Sequence, residues 1–394
     1  SCWSEAIMDR THKNNLGPEA LICFGLQFSP RVFQTMMADM IPVPKTVREA
    51  LNGQYAAEWQ RALNAENESL LENNTYETIP INRVPKGRKI LRGKYVFRVK
   101  ANSDGTIAKF KCRCVVKGFM QIEGLDFEET WAPTARATTV RLVLSIAAIK
   151  DYDLAQFDVC SAFLSAPLEK EVYMHAPDGL QVPAGHVLKL RKSLYGLKNA
   201  PRLFWHEMDA CLRRLEFTPS ELDPCLYIRR GKERADEVSI LALIVDDMIY
   251  ATNIDPMILF KQLEKRFKMK NLGSVEWCLG IKVTRDRKNR WIYLSQEQYI
   301  NKVLRIFKMA DENVKIEKTP ANKAVKLTVE DCVEREGGPP FPMKELIGSL
   351  LYACISRPDI SHAVGVVARF CAKPGIPHWR AAKRILRYLR GTRH

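Results

Sequence analysis

The sequence predicts an α+β protein built on an antiparallel sheet. Three observations predict it. Segments of helical period alternate with segments of strand-like alternation. A basic stretch over residues 95–117 has the form of a hairpin. Two apolar runs, over residues 238–251, are joined at Asp246-Asp247, and a third apolar strand carries Asp158 about 88 residues earlier.

The elements follow in order. Residues 1–43 have mixed composition and no clear period, and read as a leader. Residues 47–72 are expected to be one helix, because Ala57, Leu63 and Leu70/Leu71 recur near helical spacing, and Asn73-Asn74 stops it. In residues 95–100 (YVFRVK) apolar and cationic side chains alternate. Residues 103–106 (SDGT) form a turn, and residues 109–117 (KFKCRCVVK) return as a second strand. The polar face of that hairpin carries Arg98, Lys100, Lys109, Lys111, Arg113 and Lys117. A solvated edge face would look the same, since lysine is common on exposed strands.

Residues 140–149 read as an amphipathic helix, residues 153–164 as a strand passing into a turn, and residues 203–215 as a helix. Residues 256–270 are expected to be helical, with an apolar stripe (Leu259, Leu263, Phe267) and a basic remainder that includes Lys265 and Arg266. Residues 277–283 and 291–294 read as strands. Residues 312–342 are polar and rich in Pro and Gly, hence loop or linker. The last helix, over residues 379–390, sets Ala382, Ile385, Leu386 and Leu389 on one face and Arg380, Lys383, Arg384 and Arg387 on the other.

Composition narrows the function. The 394 residues are 46% hydrophobic and 27% charged, which is globular composition. Lys and Arg number 61 against 45 Asp and Glu, a net charge of +16. That surplus favours polyanions, nucleic acid first and an anionic membrane surface second. The longest apolar run, residues 240–245, is far short of the ~20 residues that span a bilayer. The N-terminal residues SCWSEAIMDR lack the apolar core of a secretory signal. The 11 cysteines are scattered, with no C-x-x-C pair, and Cys23, Cys278, Cys354 and Cys371 sit among apolar residues. Reduced core thiols in an intracellular protein are expected.

The carboxylates are the chemical centre of the sequence. Asp246-Asp247 interrupts an apolar β-rich run, and two readings compete for it. One is a two-residue hairpin turn. Tight turns favour Asn-Gly or Asp-Gly, however, because positive φ is needed. The other is a cation site, since adjacent carboxylates repel and a divalent cation relieves the repulsion. Asp158 alone suits a strand end or cap. With it, three aspartates make a ligand set for two Mg²⁺ ions, which prefer hard oxygen donors. That requires their strands to be neighbours in one antiparallel sheet.

These residues belong to longer motifs: EWQRALNAENESLLENNTYE, GKYVFRVKANSDGTIAKFKCRCVVKGFMQIEGLDFEETWAP, QFDVCSAFLSAPLEKEVYMHAP, KLRKSLYGLKNAPRLFW, FTPSELDPCLY, LIVDDMIYA, MKNLGSVEWCLGI and IGSLLYACISRPDISHAVGVVARF, then HWRAAKRILRYLRGT. In content and order they resemble the reverse transcriptase of copia-like LTR retrotransposon Pol polyproteins, over residues 47–392. The resemblance implies a right-hand polymerase of fingers, palm and thumb over residues 44–335. A connection-like segment follows over 336–394, ending where an RNase H domain begins in the family. It implies template-directed addition of deoxynucleotides to a primer 3′-OH.

It also implies roles. Asp158, Asp246 and Asp247 match the catalytic, metal-holding positions, with two Mg²⁺ as cofactor and Mn²⁺ as a substitute. Arg113, with Lys100 and Lys109, would meet the incoming triphosphate, and Lys198 would bind the nucleotide. Phe163 matches an aromatic steric gate against a ribose 2′-OH, although core packing explains it equally. The turn over residues 194–201 would lie beside nucleotide and template. Trp277 and Gly280 would belong to a primer grip, and Lys265 and Arg266 would touch nucleic acid. The implied partners are an RNA template, a DNA primer, deoxynucleoside triphosphates and the integrase and RNase H domains of a parent polyprotein, with no membrane. The implied location is cytoplasmic, in a virus-like particle, with a nuclear phase.

The chain departs from the family pattern at Ile244 (usually Tyr), Cys160-Ser161 (often Lys-Thr), Cys112 and Cys114 (usually Ala and Leu) and Asn199 (commonly Gln). None removes a metal ligand. Together they leave open a second reading, a decayed or domesticated nucleic-acid-binding remnant. The chain by itself is expected neither to degrade RNA nor to integrate DNA.

Overall fold

In the computed structural model the described residues are 41–102, 106–232, 236–333 and 341–393. They form two units, one of residues 41–147 and 152–274, the other of 148–151 and 275–393. The expected leader over 1–43 lies almost wholly outside the described residues, as do Cys23 and the tip of the basic hairpin.

The first unit opens with helices α1 (Val47–Asn52) and α2 (Ala56–Glu72), strands β1 (Tyr76–Pro80), β2 (Ile90–Ala101) and β3 (Ile107–Val116), and helix α3 (Ala137–Lys150), whose last turn is counted in the other unit. Then come β4 (Asp153–Val159), β5 (Pro167–His175), β6 (His186–Lys192), α4 (Ala200–Arg214), β7 (Thr218–Pro219) and β8 (Leu226–Arg230). It closes with β9 (Val238–Ile244), β10 (Asp247–Thr252), α5 (Pro256–Glu264) and β11 (Met269–Asn271).

The helix expected over 47–72 is two helices. Gly53 ends α1, and the Thr46 hydroxyl caps its start by accepting the Glu49 N–H at 3.1 Å. Asn73 terminates α2 as expected, and Asn74 takes the left-handed conformation at φ 50°.

Two sheets organise this unit. The five-stranded sheet runs β1-β6-β5-β2-β3, and only its β2–β5 pair is parallel. Helix α2 packs on it because its apolar stripe, Trp59, Leu63 and Leu70, meets Tyr95, Phe97, Cys112 and Cys114. The Trp59 ring sits edge-on to Phe110 at 4.6 Å and to Phe97 at 5.4 Å. Each large side chain buried there contributes about 1.5–3 kcal/mol. The thiols of Cys112 and Cys114 are free, and burial pushes both up, Cys114 to about 12.

The six-stranded sheet runs β11-β4-β10-β9-β8-β7 and is antiparallel throughout. Strands β9 and β10 are buried on both faces, which is why they read as continuous apolar runs rather than alternating ones. Phe157 of β4 packs on Phe260 of α5 at 5.3 Å and on Tyr250 of β10 at 6.0 Å. The buried Tyr250 hydroxyl is satisfied by the Ser239 hydroxyl at 2.7 Å.

The helix expected over 256–270 is a correction. It stops at Glu264, and Met269–Asn271 forms a strand on the sheet edge beside β4. The edge of β4 has backbone groups to satisfy, and the Cys160 N–H reaches the Lys268 carbonyl at 2.7 Å. Lys268 and Lys270 therefore lie outside the helix.

The second unit holds β12 (Trp277–Cys278), β13 (Ile281–Asp286), β14 (Trp291–Ser295) and helices α6 (Glu297–Ile306), α7 (Met343–Ala353), α8 (Ser361–Ala368) and α9 (Ile376–Gly391). The strand expected over 277–283 is a hairpin instead. Leu279 and Gly280 turn it at φ 51° and 70°. The four helices share one core that includes Leu304, Leu346, Leu350, Val364 and Leu386. Residues 312–333 carry no helix or strand, as their composition predicts, yet they are engaged. Glu317 pairs with Arg384 at 2.8 Å and Arg387 at 3.6 Å, so the basic face of α9 is partly neutralised. Among the described residues no helix is long and apolar enough to cross a membrane.

Candidate active site

The β9–β10 hairpin turns on two residues. Ile244 pairs with Asp247, so Val245 and Asp246 form the loop. Val245 has φ 56°. Positive φ at the first loop residue is the position where a type II′ turn ordinarily wants glycine, and a β-branched residue there is strained. Of the two readings of Asp246-Asp247, a turn made of that dipeptide is not what forms. Asp246 lies in the turn and Asp247 begins β10.

The register sets the acidic group. Asp247 is directly opposite Asp158 on the neighbouring antiparallel strand β4. The strands that carry the three aspartates are thus adjacent, as the cation reading requires. Lys270 of β11 lies opposite Asp158 on its other side. All three aspartates are half-buried. Burial, then the neighbouring Asp246 and Asp158 charges, pushes the Asp247 carboxyl up to about 6. Burial and Asp246 likewise raise Asp158, against the pull of Lys270, Lys100 and Lys111.

Hard-oxygen donors raised by one another's charge are the electrostatic condition that a divalent cation relieves. Among the described residues, however, no three His, Cys, Asp or Glu side chains converge as a ready ligand set. The chemistry of the donors fits a cation more closely than their side-chain placement does.

The basic hairpin supplies the opposite charge. The register pairs Lys100 with Lys109, Arg98 with Lys111 and Val96 with Arg113. Opposed residues share a face, so Arg98, Lys100, Lys109, Lys111 and Arg113 line the side away from the buried Phe97, Cys112 and Cys114. Lys117 falls just past the end of β3. Among the described residues no carboxylate forms an ion pair with Lys100, Lys109, Lys111 or Arg113. Burial and repulsion from Arg113 and Lys100 hold the Lys111 ammonium down at about 8. Glu66 of α2 lies behind this row, its carboxylate accepting the Cys114 N–H at 2.9 Å. Burial raises it, and the Cys114 N–H, Arg113 and Lys111 oppose that shift.

Aromatic rings line the same region. The Arg113 guanidinium lies over the Tyr195 ring at 4.1 Å, and that ring is 4.8 Å from Phe163. Phe163 follows β4 in a short 3₁₀ turn and is partly buried against the core. Tyr195 belongs to a turn clamped on the end of β3. The Val116 N–H donates to the Tyr195 carbonyl at 2.8 Å, and a Cβ on Gly196 would stand 2.1 Å from the Val116 carbonyl oxygen.

The remaining expected residues have partners of their own or belong to other elements. Lys198 donates from its backbone N–H to the Gln121 side chain at 2.7 Å, and its ammonium lies over the Phe127 ring at 4.9 Å. Arg266, just past α5, donates to Glu207 at 2.6 Å, and Lys265 is exposed beside it. Trp277 and Gly280 are in the second unit, where Tyr352 of α7 donates to the Leu279 carbonyl and abuts Gly280. Tyr195, Glu66 and Lys270 were not singled out from the sequence. Tyr195 sat in a recognised turn motif, Lys270 was placed on a helix, and Glu66 showed only as one polar residue of α2. A cleft of about 290 Å³ lined by Glu216, Arg229, Arg230 and Lys232 opens at the far end of β8 and β9. It is remote from the aspartates along those strands and does not belong to this group.

An α+β fold that sets carboxylates on adjacent strands near a cationic hairpin is suited to polyanion chemistry. Residues 73–322 match the family described as reverse transcriptase (RNA-dependent DNA polymerase), and the chain belongs to that family. It is 41% identical over 358 residues to the Retrovirus-related Pol polyprotein from transposon TNT 1-94 of Nicotiana tabacum, covering 89% of this chain and 26% of that protein. It is 34% identical over 355 residues to the corresponding polyprotein from transposon RE1 of Arabidopsis thaliana, covering 89% and 23%. The chain corresponds to the reverse transcriptase region of a copia-type Pol polyprotein and spans about a quarter of the length of these relatives. A solved foamy viral protease-reverse transcriptase in complex with double-stranded DNA covers 83% of this chain and 47% of its own. At 13% identity and a TM-score of 0.39 that likeness is too slight to carry a fold argument.

Proposed function

We propose that this chain extends a DNA primer on an RNA template by nucleotidyl transfer at Asp158, Asp246 and Asp247. The observation that carries the proposal is the pairing of Asp158 with Asp247 across adjacent strands, with Asp246 in the turn between β9 and β10. The β2–β3 hairpin acts as fingers and the six-stranded sheet as palm. Residues 275–335 serve as thumb and residues 336–394 as a connection segment.

In this reading the three aspartates hold two Mg²⁺ ions, for which Mn²⁺ can substitute. Such a pair, when bound, stabilises both the attacking and the leaving oxygen of a phosphoryl displacement. The protein's own groups do the rest. Lys100, Lys109 and Arg113 draw in the triphosphate, Arg113 by two-point contact with phosphate oxygens. Phe163 offers a ring edge that a ribose 2′-OH would strike. Lys265, Arg266, Trp277 and Gly280 contact the nucleic acid. Lys198, held over Phe127, steadies the turn beside the nucleotide. The same reading places the protein inside the cell, in the cytoplasm with a nuclear phase, alongside integrase and RNase H domains of a longer product.

The test is extension of oligo-dT on poly-rA with Mg²⁺. Wild-type protein extends the primer, Asp246→Asn abolishes extension, and chelation of the cation does the same. A protein that binds template-primer without extending it is the decayed remnant, and the polymerase proposal is then wrong.

A further inference from the structure

We infer that Tyr195 is a positioning residue whose ring couples triphosphate capture by Arg113 to sugar selection by Phe163. The inference rests on the nucleotide-binding roles proposed above and adds a residue and a linkage to them.

The geometry is a chain of three contacting groups. The Arg113 guanidinium lies over the Tyr195 ring at 4.1 Å, within cation–π range. The ring meets Phe163 at 4.8 Å and 60°. Phe163 is braced from behind by the buried Phe204 at 6.4 Å. A guanidinium over a ring face still points its N–H groups outward in its own plane, free to fork onto phosphate oxygens. A phenylalanine packed between two rings cannot rotate away when a 2′-OH presses on it.

Tyr195 is also held where it stands. Its backbone carbonyl accepts the Val116 N–H at 2.8 Å. Gly196 and Gly118 let the turn and β3 approach so closely that a Cβ on either would stand about 2 Å from a backbone oxygen of the other segment. The backbone that carries the ring is therefore fixed by main-chain contacts. Its hydroxyl senses the charges of Arg113, Asp246 and Asp158.

The consequence is specific. Loss of the ring frees Arg113 and Phe163 together, so two properties that look separate change in step. The experiment uses the full chain with Tyr195→Leu, Tyr195→Phe and Arg113→Lys. Folding of each is checked by thermal unfolding. The readouts are KM and kcat for deoxy- and ribonucleoside triphosphates in primer extension, and equilibrium binding of both triphosphates by calorimetry.

For Tyr195→Leu the KM for deoxynucleotide rises roughly three- to thirtyfold, the range that a stacked cation is worth. The preference for deoxy over ribo falls with it, and kcat for deoxynucleotide changes less than KM. Tyr195→Phe keeps the ring and keeps the wild-type preference. Arg113→Lys, which cannot stack as a plane, lowers the preference as well as the affinity. A folded Tyr195→Leu with wild-type KM and preference overturns the inference, as does a Tyr195→Phe that behaves like Tyr195→Leu. Should Tyr195→Leu fail to fold, a wild-type preference in Arg113→Lys overturns it. A wild type that binds triphosphate with sugar preference but does not extend sinks the polymerase proposal alone, and loss of that preference in the variants then upholds the linkage. A wild type that neither extends nor binds triphosphate overturns both.

Discussion

Asp223 shows how a motif residue can be structural. It is buried, and its carboxylate accepts the Arg136 N–H at 3.1 Å, the Thr139 hydroxyl at 2.5 Å and the Cys225 N–H at 3.0 Å. Two of these donors belong to the start of α3, so the FTPSELDPCLY motif caps a helix distant in sequence. Asp223→Ala leaves buried donors unmatched, and we expect a loss of about 2–3 kcal/mol in urea unfolding. Lys111 gives the opposite case. Its ammonium, held at about 8 by burial and by Arg113 and Lys100, costs the folded state while it is charged. The unfolded chain keeps that proton to about 10.5, so this group makes stability rise as pH climbs from about 8 to 10.5. Lys111→Met is therefore expected to be at least as stable as wild type at pH 7, with its advantage shrinking across that window in paired unfolding curves.

The turn over residues 194–201 and the end of β3 form one mechanical element. Gly196 has φ 90° and a Cβ there would meet the Val116 carbonyl oxygen at 2.1 Å. Gly196→Ala thus combines left-handed strain with a backbone clash, and we expect more than about 2 kcal/mol of destabilisation. Gly185 supplies the control. Its φ is 73° but nothing stands within 4 Å, so Gly185→Ala is expected to lose only about 1 kcal/mol. Equal losses in the two variants would mean that close approach is not what the Gly196 position requires. Val245 is the counterpart in the β9–β10 hairpin, a β-branched residue kept at positive φ where the chain must turn to present Asp246.

At the scale of the whole molecule, charge governs association. The surplus of +16 is concentrated in part on a hairpin face where Lys100, Lys109, Lys111 and Arg113 form no ion pair with a carboxylate among the described residues. Template-primer binding is expected to weaken steeply with salt, since each phosphate contact releases counterion. Replacing both Lys100 and Lys109 with Ala should make the slope of log K against log salt shallower by about 1.4–1.8. An unchanged slope, measured by fluorescence anisotropy, would remove the hairpin from the nucleic-acid path.

Much of the first unit was legible in the residues. Continuous apolar runs marked β9 and β10, because strands buried on both faces need no polar alternation, and the carboxylates interrupting them stood out for the same reason. The alternation of cations in the β2–β3 hairpin gave its charged face directly. What local pattern could not supply was anything decided by distant partners. The break at Gly53, the strand at Met269–Asn271 and the turn at Leu279-Gly280 each replaced a simpler expectation, since propensity does not see the backbone groups or packing faces waiting elsewhere. By itself the sequence determined the acidic residues, the basic hairpin and the family, because composition and motif order are properties of the chain. Only tertiary structure decided that Asp158 faces Asp247, that Lys270 flanks them and that Arg113, Tyr195 and Phe163 come into contact. Sheet register and side-chain packing arise from contacts between residues far apart in the chain, and no local periodicity encodes them.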